Sequence, residues 1–184
     1  LHEQAAPLAA WEARRQQAMR FVLSTRPGNH NPFDLTQETD ATRDLYGREE
    51  WGQGFLVARR LIEAGVRMVQ VNLRGWDTHQ NAFRDLKGKL LPSIDHCLSG
   101  FLDDLSARGL LDETLVVWAS EMGRTPFDNN LVTDKPGRDH NQYGFSLWMA
   151  GAGIRGGTVY GATDEFGYKA VENRSEIHDL HATM

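Results

Sequence analysis

The chain has 184 residues, 40% of them hydrophobic and 24% charged, which is the composition of a globular protein large enough to form its own core. Its formal net charge is −5 and its lysines and arginines form no clustered run, which argues against nucleic acid as the main partner. The single cysteine, Cys97, excludes an intrachain disulfide, and no apolar run is long enough to favour membrane insertion.

Helices are predicted over the first third of the chain. Apolar residues at helical spacing favour a helix over residues 8–23, and the stretch of residues 26–32, with its prolines and glycine, interrupts it. A short helix around residues 37–46 and a longer one over residues 49–64 follow, the latter ending at Gly65.

The pattern then changes to strands separated by a helix. Alternating β-branched residues predict a strand over residues 66–73, and residues 90–107 predict an amphipathic helix. The nearly continuous apolar run of residues 114–119 predicts a strand buried on both faces, and residues 145–150 predict a third. This order is typical of a layered α/β/α fold with a largely parallel or mixed central sheet.

We therefore expect a single α/β domain or a fragment of one, spanning residues 1–184. Residues 1–65 would form a helical N-terminal segment and residues 66–184 the sheet-forming core. The chain opens at Leu1 without an initiator methionine or a signal-peptide pattern, and it stops at Met184 just after the start of a predicted helix. Both ends look cut, so we expect a piece of a longer protein.

Charged and metal-ligating side chains recur beside the three predicted strands. In open α/β sheets, functional residues collect beyond the carboxyl ends of the strands. Concentrating such groups there is costly unless their charge is compensated, and a metal ion does that. The residues are Asp77 and His79 after the first strand, Glu121 and Arg124 after the second, and Arg138, Asp139 and His140 before the third.

The spacing of Asp77 and His79 is compatible with a shared cation. Residues two apart in an extended segment point the same way, and carboxylate plus imidazole suits Zn²⁺ or Mn²⁺ better than Ca²⁺. The alternative is a turn in which Asp77 caps the next segment and His79 is exposed. Glu121, likewise, either reaches the same sheet edge or pairs with Arg124. Repetition of the pattern in three loops favours the metal site.

Five stretches of the chain, taken together, resemble the signature segments of the DUF1501 family, a branch of the alkaline phosphatase/sulfatase-like superfamily. The similarity runs in order from about residue 16 to the last residue. It implies an alkaline phosphatase-like core, incomplete in this chain, and an exported or periplasmic location. The stretches are residues 69–79, 120–126, 137–140, 150–157 and 160–164.

The resemblance also implies a ligand set. Proteins of the superfamily bind one or two divalent metal ions, often zinc or manganese, where a Ser, Thr or modified Cys nucleophile attacks a phosphate or sulfate ester. By this resemblance Asp77, His79 and His140 match the ligands of one metal site. Glu121 matches the Asp of an Asp–His pair that serves another site. Met122 stands where that pair has its histidine, and a thioether is a poor ligand for such a cation.

The arginines and hydroxyls near these positions complete the expected chemistry. Arg124 or Arg138 would stabilise the charge that builds on the ester oxygens, because guanidinium donates two parallel hydrogen bonds. The superfamily nucleophile lies on an early strand, and residues 1–65 predict no such strand. Thr78, Ser120 and Thr125 are the hydroxyls close to the proposed site.

The sequence therefore predicts a metal-dependent hydrolase-type domain for small-molecule phosphate or sulfate esters, without its nucleophile segment. The alternative is a catalytically inactive metal- or ligand-binding domain that keeps the superfamily fold.

Overall fold

The structure, a computed structural model, describes residues 11–13, 15–16, 31–128 and 134–184. The chain forms two compact units, Leu1–Val71 and Asn72–Met184. The predicted helix over residues 8–23 is helical where it is described, and the rest of it, with most of the interruption at residues 26–32, lies outside the described residues.

Two helices dominate the described part of the first unit, α1 (Asp40–Tyr46) and α2 (Glu50–Glu63). The Thr39 side chain caps α1 by accepting a hydrogen bond from the Thr42 backbone N–H, which satisfies one of the donors left free at a helix start. The two helices confirm those predicted over residues 37–46 and 49–64. Their core consists of Tyr46, Phe55, Leu56 and Ala58.

A long helical segment carries the main core of the second unit. Helix α3 (Ala82–Asp85), a π-helical turn (Leu86–Leu90) and helix α4 (Leu91–Ala107) follow one another directly. Buried side chains recur three or four positions apart, as expected of an amphipathic helix, and this confirms the helix predicted over residues 90–107. They are Leu90, Ile94, Cys97, Phe101 and Leu105.

Strands in the second unit pair into small antiparallel sheets. Each sheet in the described residues consists of only two strands, and each pair is antiparallel. The largely parallel or mixed central sheet predicted from the sequence is therefore wrong for this part of the chain. The pairs are β1 (Val116–Trp118) with β4 (Trp148–Ala150), β2 (Gly123–Asp128) with β3 (Arg138–Asn141), and β5 (Ala162–Thr163) with β6 (Ala170–Glu172).

Two further segments differ from the sequence-based expectation. Residues 66–73, predicted as the first strand, form no ladder within the described residues. The segments around residues 120–126 and 137–141, predicted as loops, contribute the paired strands β2 and β3. The reason is that β propensity shows which residues suit a pleated backbone, whereas pairing requires a partner segment.

The last described element is helix α5 (Ile177–Thr183). Its N-terminus is capped by reciprocal side chain–backbone hydrogen bonds between Glu176 and Asp179. Among the described residues, no helix is long and apolar enough to cross a membrane.

Candidate metal centre

The β2–β3 ladder supplies two of the side chains at the centre. Arg124 and His140 are direct partners across the ladder, and Gly123 is the partner of Asn141. Directly opposed residues of an antiparallel pair project from the same face, so the guanidinium and the imidazole emerge side by side. The register of the ladder shifts between Arg124 and Asp128, the partner of Arg138. Such an irregularity bends the two strands beyond the centre.

The segment that carries Asp77 and His79 lies against the start of β3. The Arg138 backbone N–H donates to the Thr78 carbonyl at 3.3 Å, and the Ala82 N–H donates to the Pro136 carbonyl at 3.0 Å. A Cβ on Gly137 would overlap the His79 carbonyl oxygen, so only glycine permits this close approach. These contacts bring the segment of residues 77–79 to the face that carries His140.

Three ligand atoms converge there. Asp77 Oδ1 lies 2.9 Å from His140 Nε2 and 3.0 Å from His79 Nε2, and the two Nε2 atoms are 3.1 Å apart. The imidazole rings are tilted by 46° with centroids 4.8 Å apart. The side chains of Asp77, His79 and His140 are 65%, 38% and 46% exposed, so one side of the cluster is open to solvent.

Arg124 is fixed at the same point. Its Nη2 donates to Asp77 Oδ1 at 2.5 Å and to the Trp76 carbonyl at 3.3 Å, while its Nη1 donates to the Arg138 carbonyl at 3.3 Å. The hydrogen bond from His140, followed by that from Arg124, lowers the pKa of the Asp77 carboxyl to about 2. Asp77 is therefore an anion at neutral pH, as a metal ligand must be.

Trp76 forms the wall behind Asp77. Its ring meets the ring of Trp118 in β1 edge to face, with centroids 6.0 Å apart and an interplanar angle of 74°. The indole pair therefore joins the segment immediately before Asp77 to strand β1.

The donor set fits a divalent cation. Asp77, His79 and His140 each offer one ligand atom, and these atoms lie within 4.8 Å of one another. Two imidazole nitrogens facing each other at 3.1 Å can share only one hydrogen, and a cation between them uses both lone pairs. Two imidazoles and one carboxylate suit Zn²⁺ or Mn²⁺, and three protein ligands leave coordination positions open, as in catalytic sites.

The family model for DUF1501, described as a protein of unknown function, matches residues 2–184. The chain belongs to the DUF1501 family. The match covers all five stretches that suggested the family, including those that carry Asp77, His79 and His140. No curated protein and no solved structure matched the chain.

Two residues predicted for the site of this DUF1501 chain have side chains outside the converging group. Glu121 is exposed, with Ser120 Oγ 3.5 Å from its carboxylate, and it is not part of the converging group. The Arg138 guanidinium lies over the Phe83 ring, 4.9 Å from its centroid, and contacts the Gly137 carbonyl. Arg138 contributes to the centre through its backbone carbonyl, which accepts a hydrogen bond from Arg124.

One further residue of the DUF1501 chain, singled out in the sequence with His140 but given no role as a ligand, lies beside the converging group. Asp139 Oδ1 is 3.6 Å from His79 Nδ1 and accepts a hydrogen bond from the His140 backbone N–H at 2.8 Å. Alternation along a strand would place Asp139 on the face opposite His140, so no local pattern linked it to His79. The signals in the sequence were its place among the charged residues before the third predicted strand and its position immediately before His140.

Proposed function

We propose that this DUF1501 chain forms the metal-binding part of a hydrolase-type domain that acts on phosphate or sulfate esters, with an alkaline phosphatase/sulfatase-like core as its parent fold. The proposal rests on one observation, the convergence of Asp77 Oδ1, His79 Nε2 and His140 Nε2 beside the Arg124 guanidinium.

Asp77, His79 and His140 would hold the cation. When bound, a divalent cation supplies Lewis acidity, which polarises an ester oxygen and lowers the pKa of a nucleophile. The ionised Asp77 carboxylate balances part of the cation's charge. Because every converging side chain is at least one-third exposed, a substrate can approach from the solvent side.

Arg124 supports the choice of an oxyanion substrate. A guanidinium donates two parallel hydrogen bonds to a tetrahedral anion, and beside a cation it stabilises charge that builds on the ester oxygens. Arg124 ends at the converging group, whereas the Arg138 guanidinium contacts Phe83 and Gly137. We therefore assign the oxyanion contact to Arg124.

Two of the hydroxyls near the centre, those of Ser120 and Thr125, form hydrogen bonds with the backbone. Ser120 Oγ donates to the Met122 carbonyl at 2.9 Å, and Thr125 Oγ1 donates to the Phe127 carbonyl at 3.1 Å. Thr125 Oγ1 also accepts from the Asp139 N–H at 3.1 Å. Because these hydroxyls donate to backbone carbonyls, we expect little turnover by this chain alone. The same contacts support the second candidate, a catalytically inactive metal- or ligand-binding domain.

Calorimetric titration tests the proposal. The protein would be titrated with Zn²⁺ and with Mn²⁺, and the metal-loaded and metal-free forms would then be titrated with inorganic phosphate and with sulfate. We expect metal binding that His140→Ala weakens strongly, and oxyanion binding only in the metal-loaded form.

An assay with aryl phosphate and aryl sulfate esters tests the inactive domain. Metal-dependent turnover that His140→Ala removes would support the hydrolase and contradict the inactive domain. Metal and oxyanion binding without turnover is the result expected of a chain without a nucleophile segment. Failure of the metal-loaded protein to bind either oxyanion would contradict the ester substrate.

A further inference from the structure

We infer that Arg138 binds a second oxyanion, carried by the organic group of the ester, so that the site takes esters with two anionic groups. The inference rests on the proposed function and narrows its substrate class. It gives a role to the arginine whose guanidinium lies outside the converging group.

Arg138 lies on the same face of β3 as His140. Side chains two positions apart on a strand project from the same face, and the two positions span roughly 7 Å. Arg124 is the direct partner of His140 across the ladder, so all three side chains leave one face. The irregular register adds residues to β2 and not to β3, because Arg124 and Asp128 are four positions apart while their partners are two apart.

The Arg138 backbone belongs to the contacts that assemble the centre. Its N–H donates to the Thr78 carbonyl at 3.3 Å, and its carbonyl accepts from Arg124 Nη1 at 3.3 Å. The Arg138 side chain therefore begins at the rim of the centre, where the organic group of an ester bound at the cation can reach it.

The Arg138 guanidinium has hydrogen-bond donors to spare. Within the described residues it makes one hydrogen bond, to the Gly137 carbonyl at 3.4 Å, and no ion pair. Asp128, its partner across the ladder, instead accepts from the Gly137 backbone N–H at 3.1 Å. Residues 129–133, which link β2 to β3 outside the described part, contain no Asp or Glu. Whereas Arg124 is paired with Asp77, Arg138 is therefore open to an anion from solution.

Phe83 supports this guanidinium. Arg138 Cζ lies 4.9 Å from the centroid of the Phe83 ring, within the range of a cation–π contact. Helix α3, which carries the ring, is joined to the start of β3 by the hydrogen bond from the Ala82 N–H to the Pro136 carbonyl. Because the N–H donors of a guanidinium lie in its plane, contact with a ring restrains the side chain without using those donors.

The cation and the two arginines together define which esters fit. The cation and Arg124 take the phosphate or sulfate group, and Arg138 takes the second oxyanion through two parallel hydrogen bonds. The Phe83 ring, 52% exposed, offers an apolar surface to the organic group. The substrate class is therefore an ester whose organic group carries a carboxylate, sulfate or phosphate.

Calorimetric titration of the Zn²⁺-loaded protein with phosphonates tests the inference, because phosphonates mimic phosphate esters and are not hydrolysed. The compound para-carboxyphenylphosphonate carries the second anion, and para-carbamoylphenylphosphonate has the same shape without that charge. We expect the carboxylate to bind about three- to tenfold more tightly. The sulfonate para-sulfophenylphosphonate should also bind more tightly than the carbamoyl compound, and the larger of the two gains identifies the second anion as planar or tetrahedral.

Variants assign the preference to one arginine. Arg138→Ala should abolish the preference for the carboxylate and leave the affinity for phenylphosphonate unchanged. Phe83→Leu should weaken the preference about twofold, because the cation–π contact is lost. Arg155→Ala is the matched control, since it removes the same charge from another exposed arginine, and it should keep the full preference.

Equal affinity for the carboxylate and the carbamoyl compound, or a preference that survives Arg138→Ala, would overturn this inference. Binding of phenylphosphonate in the same experiment would leave the proposed function intact. Failure of the Zn²⁺-loaded protein to bind phenylphosphonate would overturn the proposed function, and this inference with it.

Discussion

Arg124 and His140 face each other across the β2–β3 ladder, and both side chains end on the same atom, Oδ1 of Asp77. The distances are 2.5 Å from the Arg124 guanidinium and 2.9 Å from His140 Nε2. A single strand register thus brings a guanidinium and a candidate metal-ligating imidazole to one carboxylate oxygen. The guanidinium would therefore compete with a metal ion for that oxygen if one binds as proposed.

Removing the guanidinium should change metal binding and oxyanion binding in opposite directions. Arg124→Ala removes a competitor from Asp77 Oδ1, and because an exposed ion pair contributes little, we expect Zn²⁺ affinity to rise only about two- to fivefold. The affinity of the metal-loaded protein for phosphate should fall, because the hydrogen-bond donors of the Arg124 guanidinium are lost. Calorimetry measures both, with Arg138→Ala as the control. Weaker Zn²⁺ binding by Arg124→Ala would show that the arginine supports the ligand set instead of competing with it.

Metal binding should raise the melting temperature. A ligand that binds only the folded state adds about 2.7 kcal/mol at a hundredfold excess over Kd, which corresponds to a rise of roughly 5–10 °C for a domain of this size. His140→Ala should abolish most of the rise and leave the metal-free melting temperature nearly unchanged. The effect should fade at acidic pH, because protonated imidazole cannot coordinate. His178→Ala, an exposed histidine of α5, is the control, and an equal response in both variants would place the cation elsewhere.

Glu121 provides a test between the sequence interpretation and the geometry. The sequence places it at a metal site, whereas in the structure it is exposed and outside the group formed by Asp77, His79 and His140. We expect Glu121→Gln to leave Zn²⁺ affinity within about twofold, because an exposed charge outside the ligand set contributes little. Titration calorimetry measures the difference. A loss larger than that of His140→Ala would make Glu121 the principal ligand.

The Asp77 carboxyl should make stability depend on pH in the metal-free protein. Its pKa falls from the ordinary value of 3.8 to about 2 on folding, so its stabilising effect is complete above about pH 4 and is lost as the pH falls toward 2. The free energy of unfolding, measured with denaturant, should differ between the protein and Asp77→Asn by a constant amount above pH 4. The difference should shrink below pH 4. Added salt should reduce the difference, because Asp77 is exposed. A difference that grows on acidification would mean that the pKa of Asp77 is raised.

Gly137 should be essential for assembling the centre. A Cβ at this position would overlap the His79 carbonyl oxygen, so Gly137→Ala must push the start of β3 away from the segment that carries Asp77 and His79. We expect a loss of about 1–3 kcal/mol of stability and a large loss of Zn²⁺ affinity. Gly156→Ala is the control, because no atom lies within 4 Å of a Cβ there. Equal stability and Zn²⁺ affinity in the two variants would show that the close approach at Gly137 is not required.

The helices could be predicted from the sequence because their pattern is local. In α4 the buried residues Ile94, Cys97, Phe101 and Leu105 repeat at helical spacing, and burial of that face follows from the spacing itself. The strands were harder to predict. Residues 66–73 have the composition of a strand, but they pair with no other strand among the described residues. Arg124 and His140, in contrast, lie on paired strands in segments predicted as loops. Pairing depends on a partner far along the chain, which no local pattern specifies.

The sequence by itself determined which residue types are available for the centre: a carboxylate and an imidazole two positions apart, a second imidazole, and arginines near both. Only the tertiary structure decided which of them meet. His79 and His140 are 61 positions apart, and their contact depends on the β2–β3 register and on the close approach at Gly137. The same packing placed Asp139 behind His79 and left Glu121 outside the group. Which side chains share a point in space is fixed by hydrogen bonds between distant segments, and these exist only once the chain has folded.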